Sequence, residues 1–273
     1  MHVHILDPFR PLASPIHALD GRVKFVLAVA FILTVSLTPY GAWPVYLLLL
    51  SLMISVEVLS GLGVGFVMRR ASLALPFVLA ALPLAFTTPG RELLRLPLGS
   101  WILVSTVDGW LRFANVALKS WLSVQAAIVL AASTPFPDLL LAMRAVRIPR
   151  LLVAMFGLMW RYLFVLADEG LRLMRARTSR SGHARPAEDR SRAGRPGGSL
   201  AWRAHVAGGM AGSLFLRAIE RSDRIYVAML SRGYDGEVRS FAQPRLSSGA
   251  RGVLGIGLSI LAILWLTGLL LWG

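Results

Sequence analysis

Two arginines sit in settings suited to docking another protein. Each lies between small residues near the end of a helical run. The first triplet is Ser179-Arg180-Ser181, reached through MRARTSRSG; the second is Ser231-Arg232-Gly233, reached through YVAMLSRGYDG. Small neighbours let a helix terminus approach another surface closely. The guanidinium then offers a fixed fork of donors to carboxylates or carbonyls. Gly233 also suits a helix stop. Ala176-Arg177-Thr178 competes with the first triplet, but 179–181 is preferred because it borders a linker, where a helix would end.

Other groups that could do chemistry lack company. The chain has no cysteine, which excludes disulfides, thiol catalysis and thiolate metal sites. His2 and His4 beside a free amine are a nickel or copper motif in type, yet five histidines are scattered along the chain and no acid–histidine cluster joins these two. No metal site, catalytic residue or cofactor is assigned. The run Gly61-Leu62-Gly63-Val64-Gly65 has no following Lys-Ser/Thr and reads as a turn or close helix contact rather than a phosphate loop. Glu57 and Asp108 fall at span ends, where water or headgroups are expected to solvate them. A proton relay would need a second ionisable group within a span.

The elements that position the triplets follow from composition. The 273 residues are 56% hydrophobic with a mean hydropathy of +0.64, which a bundle of bilayer spans requires and a soluble domain rarely reaches. Apolar stretches predict five transmembrane helices: Val23–Thr38, Trp43–Leu59, Ala71–Thr88 (kinked at Pro76 and Pro83), Trp110–Ala132 and Val253–Trp272. Leu151–Leu166 is apolar too, but Arg161 lies inside it and Asp168-Glu169 follow. A charge at the bilayer centre costs about 2.5–3.5 kcal/mol, so this stretch reads as an interfacial helix, with a sixth span as the alternative.

The expected organisation is therefore four spans over 1–134, a cytoplasmic coupling region over 135–250, and a last span over 251–273. Lys and Arg outnumber Asp and Glu by 29 to 14, a formal charge of +15. Arg10, Arg22, Lys24, Arg69, Arg70, Arg144, Arg147 and Arg150 flank the spans on one side, which the positive-inside rule makes cytoplasmic. Arg69, Arg70, Arg144 and Arg147 read as anchors to membrane lipid. The arginines follow membrane sidedness, and no aromatic–basic interleaving suggests nucleic acid. Two long helices are expected in the coupling region, about 150–177 and 200–230. In the second, Val206, Met210, Leu214, Ile219, Tyr226 and Met229 recur at near-helical spacing. Between them, 181–199 is rich in Gly, Pro, Ser and paired charges and reads as a flexible linker.

With these features in this order, the sequence resembles the transmembrane T components of energy-coupling factor (ECF) importers, most closely the cobalt/nickel branch. The resemblance rests on Ser14–Lys24 (SPIHALDGRVK), on Val146–Glu169 with Pro149, Arg161-Tyr162 and Glu169, and on the paired triplets. Both triplets carry Ser where the family most often has Ala, and the first ends in Ser181 rather than Gly. The resemblance implies an all-α integral membrane protein and a non-catalytic subunit. It implies as partners two cytoplasmic ABC-type ATPases, docked at Arg180 and Arg232, and a substrate-binding membrane S component. Cobalt or nickel is the implied cargo, with biotin, another vitamin or a shared module as alternatives. A secondary transporter would show duplicated broken spans, and a membrane enzyme would show paired acids or histidines. The sequence has neither.

Overall fold

A computed structural model of the chain describes residues 8–98, 101–181, 200–236 and 246–272. His2, His4 and most of the expected linker, 182–199, lie outside them. The chain divides into two compact units. One comprises Pro8–Val146 with Gln243–Gly273; the other contains Arg147–Ala242.

The first unit is a helical bundle. After a short α1 (Pro15–Ala18), α2 (Gly21–Leu37) starts at Asp20, whose carboxylate accepts from the Arg22 N–H at 2.8 Å. It stops at Thr38, which the following Pro39 holds in an extended conformation. Next, α3 (Trp43–Ser60) has Pro44 in its first turn and ends at Gly61, whose φ of 69° supplies the left-handed stop. Residues 61–63 are thus a turn, and Val64 and Gly65 already belong to the next helix.

The third apolar stretch differs from the expected single kinked helix. It begins earlier, at Val64, and is broken into α4 (Val64–Ala71), a 3₁₀ turn (Ser72–Ala74), α5 (Leu75–Leu79) and α6 (Leu84–Thr87). Pro76 and Pro83 each lack an N–H, and short-range bonds such as Ala81 N–H to Val78 O at 3.0 Å replace the regular ladder. A β-hairpin, β1 (Glu92–Leu98) with β2 (Trp101–Thr106), follows; it was not anticipated in this mixed-charge loop. Thr106 then caps α7 (Val107–Ser133) by accepting from Gly109 N–H at 3.1 Å. After α8 (Phe136–Ala145) come α9 (Arg150–Ser181) and α10 (Leu200–Leu230) of the second unit. Finally α11 (Ser248–Trp272) rejoins the bundle.

Contacts along the bundle give its directions. The Lys24 ammonium donates to Ser133 O at 2.8 Å, and Lys119 donates to Ser36 O and Thr38 O at 2.9 Å each, so α7 runs antiparallel to α2. Tyr46 OH donates to Thr38 O at 3.2 Å, which turns α3 back beside α2. A Cβ on Gly257 would meet Leu27, and one on Gly268 would meet Pro39 and Thr38, so α11 runs parallel to α2 at close approach. Val35, Tyr46, Leu49, Met53, Leu122 and Val129 fill the core.

Among the described residues, five helical stretches are long and apolar enough to cross a membrane: Trp43–Ser60, Val64–Thr87, Val107–Ser133, Arg150–Arg180 and Ser248–Trp272. The protein is a multi-pass, all-α membrane protein with one small hairpin. The 17-residue α2 is shorter than these, at about 26 Å, yet lies fully within the bundle. Because α7 ends and α11 begins at the same end of the bundle, the segment between them crosses the membrane an even number of times.

Glu57 corrects an expectation. It is not solvated at a span end: it is fully buried, and among the described residues neither carboxylate oxygen has a hydrogen-bond partner. Asp108 is exposed, as expected.

Candidate coupling site on two long helices

Both triplets lie on the second unit, at the ends of α9 and α10. These helices have 32 and 31 residues, roughly 45–48 Å each; α10 has the bounds expected from the sequence, and α9 runs four residues beyond the expected 150–177. They are rich in Ala, Leu, Met and Arg, all strong helix formers.

One carboxylate ties them together. Glu169 of α9 accepts from Arg217 Nη1 at 3.2 Å and from Arg221 Nη2 at 3.1 Å. The two arginines are four residues apart on α10, so they project from one face and straddle the acid. One residue on, Gly170 leaves room for Leu214, whose Cδ1 would be 3.7 Å from an added Cβ. Farther along, the Arg177 guanidinium lies 5.3 Å from the Trp202 ring centroid. Rising numbers on α9 meet falling numbers on α10, so the helices run in opposite senses. Their C-termini, and with them the two triplets, point away from one another. Sequence reading singled out Glu169 but missed Arg217 and Arg221; their i, i+4 spacing was the available signal.

The second triplet is a helix stop of defined geometry. Gly233 N–H donates to Leu230 O at 2.9 Å, and Tyr234 N–H donates to Met229 O at 3.0 Å, the paired bonds of a Schellman motif. Gly233 occupies the left-handed position, with φ 77°. Arg232 is therefore the capping residue, the last before the chain reverses. The first triplet is built differently. Arg180 lies in the last turn of α9, where Ser179 Oγ donates back to Arg175 O at 2.9 Å. Ser179, Arg180, Ser231, Arg232 and Gly233 are all exposed. Among the described residues, neither the Arg180 nor the Arg232 guanidinium has a hydrogen-bond or ion-pair partner. Arg177, the competing choice, is engaged with Trp202.

In the bundle, the Ser14–Lys24 segment does structural work. Ser14 Oγ pairs with His17 Nδ1 at 2.7 Å, and His17 Nε2 with Arg10 O at 3.0 Å. Arg10 N–H and the Lys24 ammonium then satisfy Ala132 O and Ser133 O at the end of α7. Partial burial pushes the Asp20 carboxyl up, but side-chain and backbone hydrogen bonds from Arg22 together outweigh it and hold Asp20 below its ordinary value. Gly21 lets α2 approach α8 closely here, since an added Cβ would lie 3.1 Å from that of Asp138.

The sequence is similar to those of known proteins. A sequence model of the cobalt transport protein family, CbiQ, matches residues 13–241. The cobalt transport protein CbiQ of Rhodobacter capsulatus is 29% identical over 210 residues, covering 77% of this chain and 80% of its own. CbiQ of Salmonella typhimurium is 31% identical over 121 residues, covering 44% and 47%. A protein of Methanocorpusculum labreanum described as a fused cobalt transport protein, CbiMQ, is 24% identical over 243 residues, covering 85% of this chain and 37% of the relative. The match takes in both long helices and both triplets, and the chain belongs to the CbiQ family of cobalt transport proteins.

Proposed function

We propose that the protein is the transmembrane coupling subunit of an ATP-driven ECF-type importer that takes up cobalt or nickel. It catalyses nothing itself. Two cytoplasmic ATPases dock at its helix ends, and a separate membrane subunit binds the metal ion as cargo. Closure of the ATPases displaces α9 and α10, and the clamp through Glu169 makes the two helices move together. Their motion tilts or releases the substrate subunit.

The observation that carries this reading is the pair of exposed guanidiniums, without partners among the described residues, at opposite ends of two clamped helices. From the Glu169 crossing, Arg180 lies eleven residues along α9 and Arg232 about thirteen along α10, which separates them by roughly 36 Å along the helices. That span suits two docking sites on a dimer rather than one site. Exposed Phe215, Leu216, Tyr226, Val227 and Leu230 on α10 offer apolar surface for a membrane partner. The fused relative is much longer than this chain, which fits an association with another transport subunit.

Sidedness follows from charge. Arg10, Arg22, Lys24, Arg69, Arg70 and Arg144 gather at the end of the bundle where α7 finishes and α11 starts, so that end faces the cytoplasm of the inner membrane. The even number of crossings between α7 and α11 argues against α9 as a lone sixth span. Affinity purification from native membrane tests the reading. Two ATPases, or two copies of one, and a second membrane protein should co-purify. Metal transport by the isolated chain in liposomes would contradict it.

A further inference from the structure

We infer that Arg10 and Arg70 form a binding site for the phosphate of an anionic phospholipid. Both guanidiniums rest on one aromatic ring: Arg10 Cζ is 3.9 Å from the Phe66 centroid and Arg70 Cζ is 4.6 Å from it. The two cations are therefore within about one Debye length of each other and repel. Among the described residues neither has a carboxylate partner. Stacking on the ring leaves the guanidinium edges free to donate, and one phosphate group can accept from both forks.

The site is built. Arg10 is held through its backbone, N–H to Ala132 O at 2.9 Å and O to His17 Nε2 at 3.0 Å. With His17 Nε2 donating to Arg10 O, His17 Nδ1 accepts from Ser14 Oγ, so one hydrogen-bond chain fixes the loop. Arg70 is fixed by the last turn of α4. Arg10 is exposed, whereas Phe66 and Arg70 are half-buried.

Position names the ligand. Ala132 and Ser133 close the 27-residue α7, and Ser60 closes α3 just before α4, so the stack lies where apolar helices end. Headgroup phosphates occupy that level, and anionic lipids concentrate there. Arg10 precedes the segment matched by the family's sequence model, whereas Phe66 and Arg70 lie within it.

Native mass spectrometry of the delipidated full-length protein, titrated with phosphatidylglycerol or phosphatidylcholine, tests the site. The wild type should bind one phosphatidylglycerol at least tenfold more tightly than phosphatidylcholine. Arg10→Gln/Arg70→Gln should abolish that preference, and Phe66→Leu, which keeps both charges, should weaken it. Arg69→Gln removes an equal, adjacent charge that is not on the ring and should change affinity less than twofold. An effect of Arg69→Gln as large as that of the double variant would overturn the proposal, as would equal binding of the two lipids. Inorganic phosphate at millimolar concentration should not displace the lipid; displacement would mean a free-anion site instead.

Discussion

In the proposed docking role, Arg232 and Gly233 divide one task between them. The arginine carries the donors, and the glycine sets the backbone that presents them. At φ 77° a side chain costs about 1–2 kcal/mol, while nothing lies within 4 Å of an added Cβ. Any loss on substitution is therefore conformational rather than steric. Gly233→Ala should fray the end of α10 and weaken ATPase retention, whereas Gly233→Asn, which tolerates the left-handed region, should retain most of it. Co-purification at matched expression checks the pair. Equal retention by both variants at the wild-type level would separate the Schellman stop from docking. Ser181 cannot play the part of Gly233 in the same way, which is why the two triplets differ in geometry despite their similar sequences.

At the scale of elements, the acid shared by Arg217 and Arg221 ties α9 to α10, and the proposed mechanism moves the pair as one lever. Glu169→Gln keeps the side-chain volume and one acceptor oxygen but removes the charge that two guanidiniums need. The triplets remain intact, so ATPase retention should be preserved while ATP-dependent uptake falls, by roughly fivefold or more if the clamp carries a typical coupling energy. Uptake and co-purification measured on the same membranes distinguish this from a docking defect. Parallel losses of both would show that Glu169 merely holds the fold. The long elements were legible because their signals are continuous: uncharged runs for α3, α7 and α11, and near-helical apolar spacing for α10. Finer features were not. Pro76 and Pro83 announced a kink, but the number of breaks in 64–87 depends on which carbonyls find substitute donors. The hairpin at 92–106 is a pairing of two short apolar stretches that composition alone does not mark. Glu57 looked like a span-end acid, and only packing reveals that α3 turns it inward.

For the whole molecule, the bundle directions carry the topology. Parallel α2 and α11 with antiparallel α7 bring the end of α7 and the start of α11 to one end of the bundle, which the proposed sidedness makes cytoplasmic. An Arg190→Cys variant should therefore be shielded from an impermeant maleimide on intact cells, and a Gly273→Cys variant should be labelled. The native chain has no cysteine to confuse the readout. The candidate site was legible in outline, because small–Arg–small triplets follow long helical runs. That Arg177 is occupied by Trp202 and Arg180 is not required the structure. The most direct test of coupling compares Arg180→Ala, Arg232→Ala and the double variant for ATPase retention and ATP-dependent cobalt uptake at equal membrane abundance. Loss of a charge-assisted contact costs about 1.5–3 kcal/mol, so each single variant should weaken retention about ten- to a hundredfold, and the double variant should abolish both retention and uptake. A double variant that inserts normally, keeps its ATPases and takes up cobalt at the wild-type rate would contradict the account.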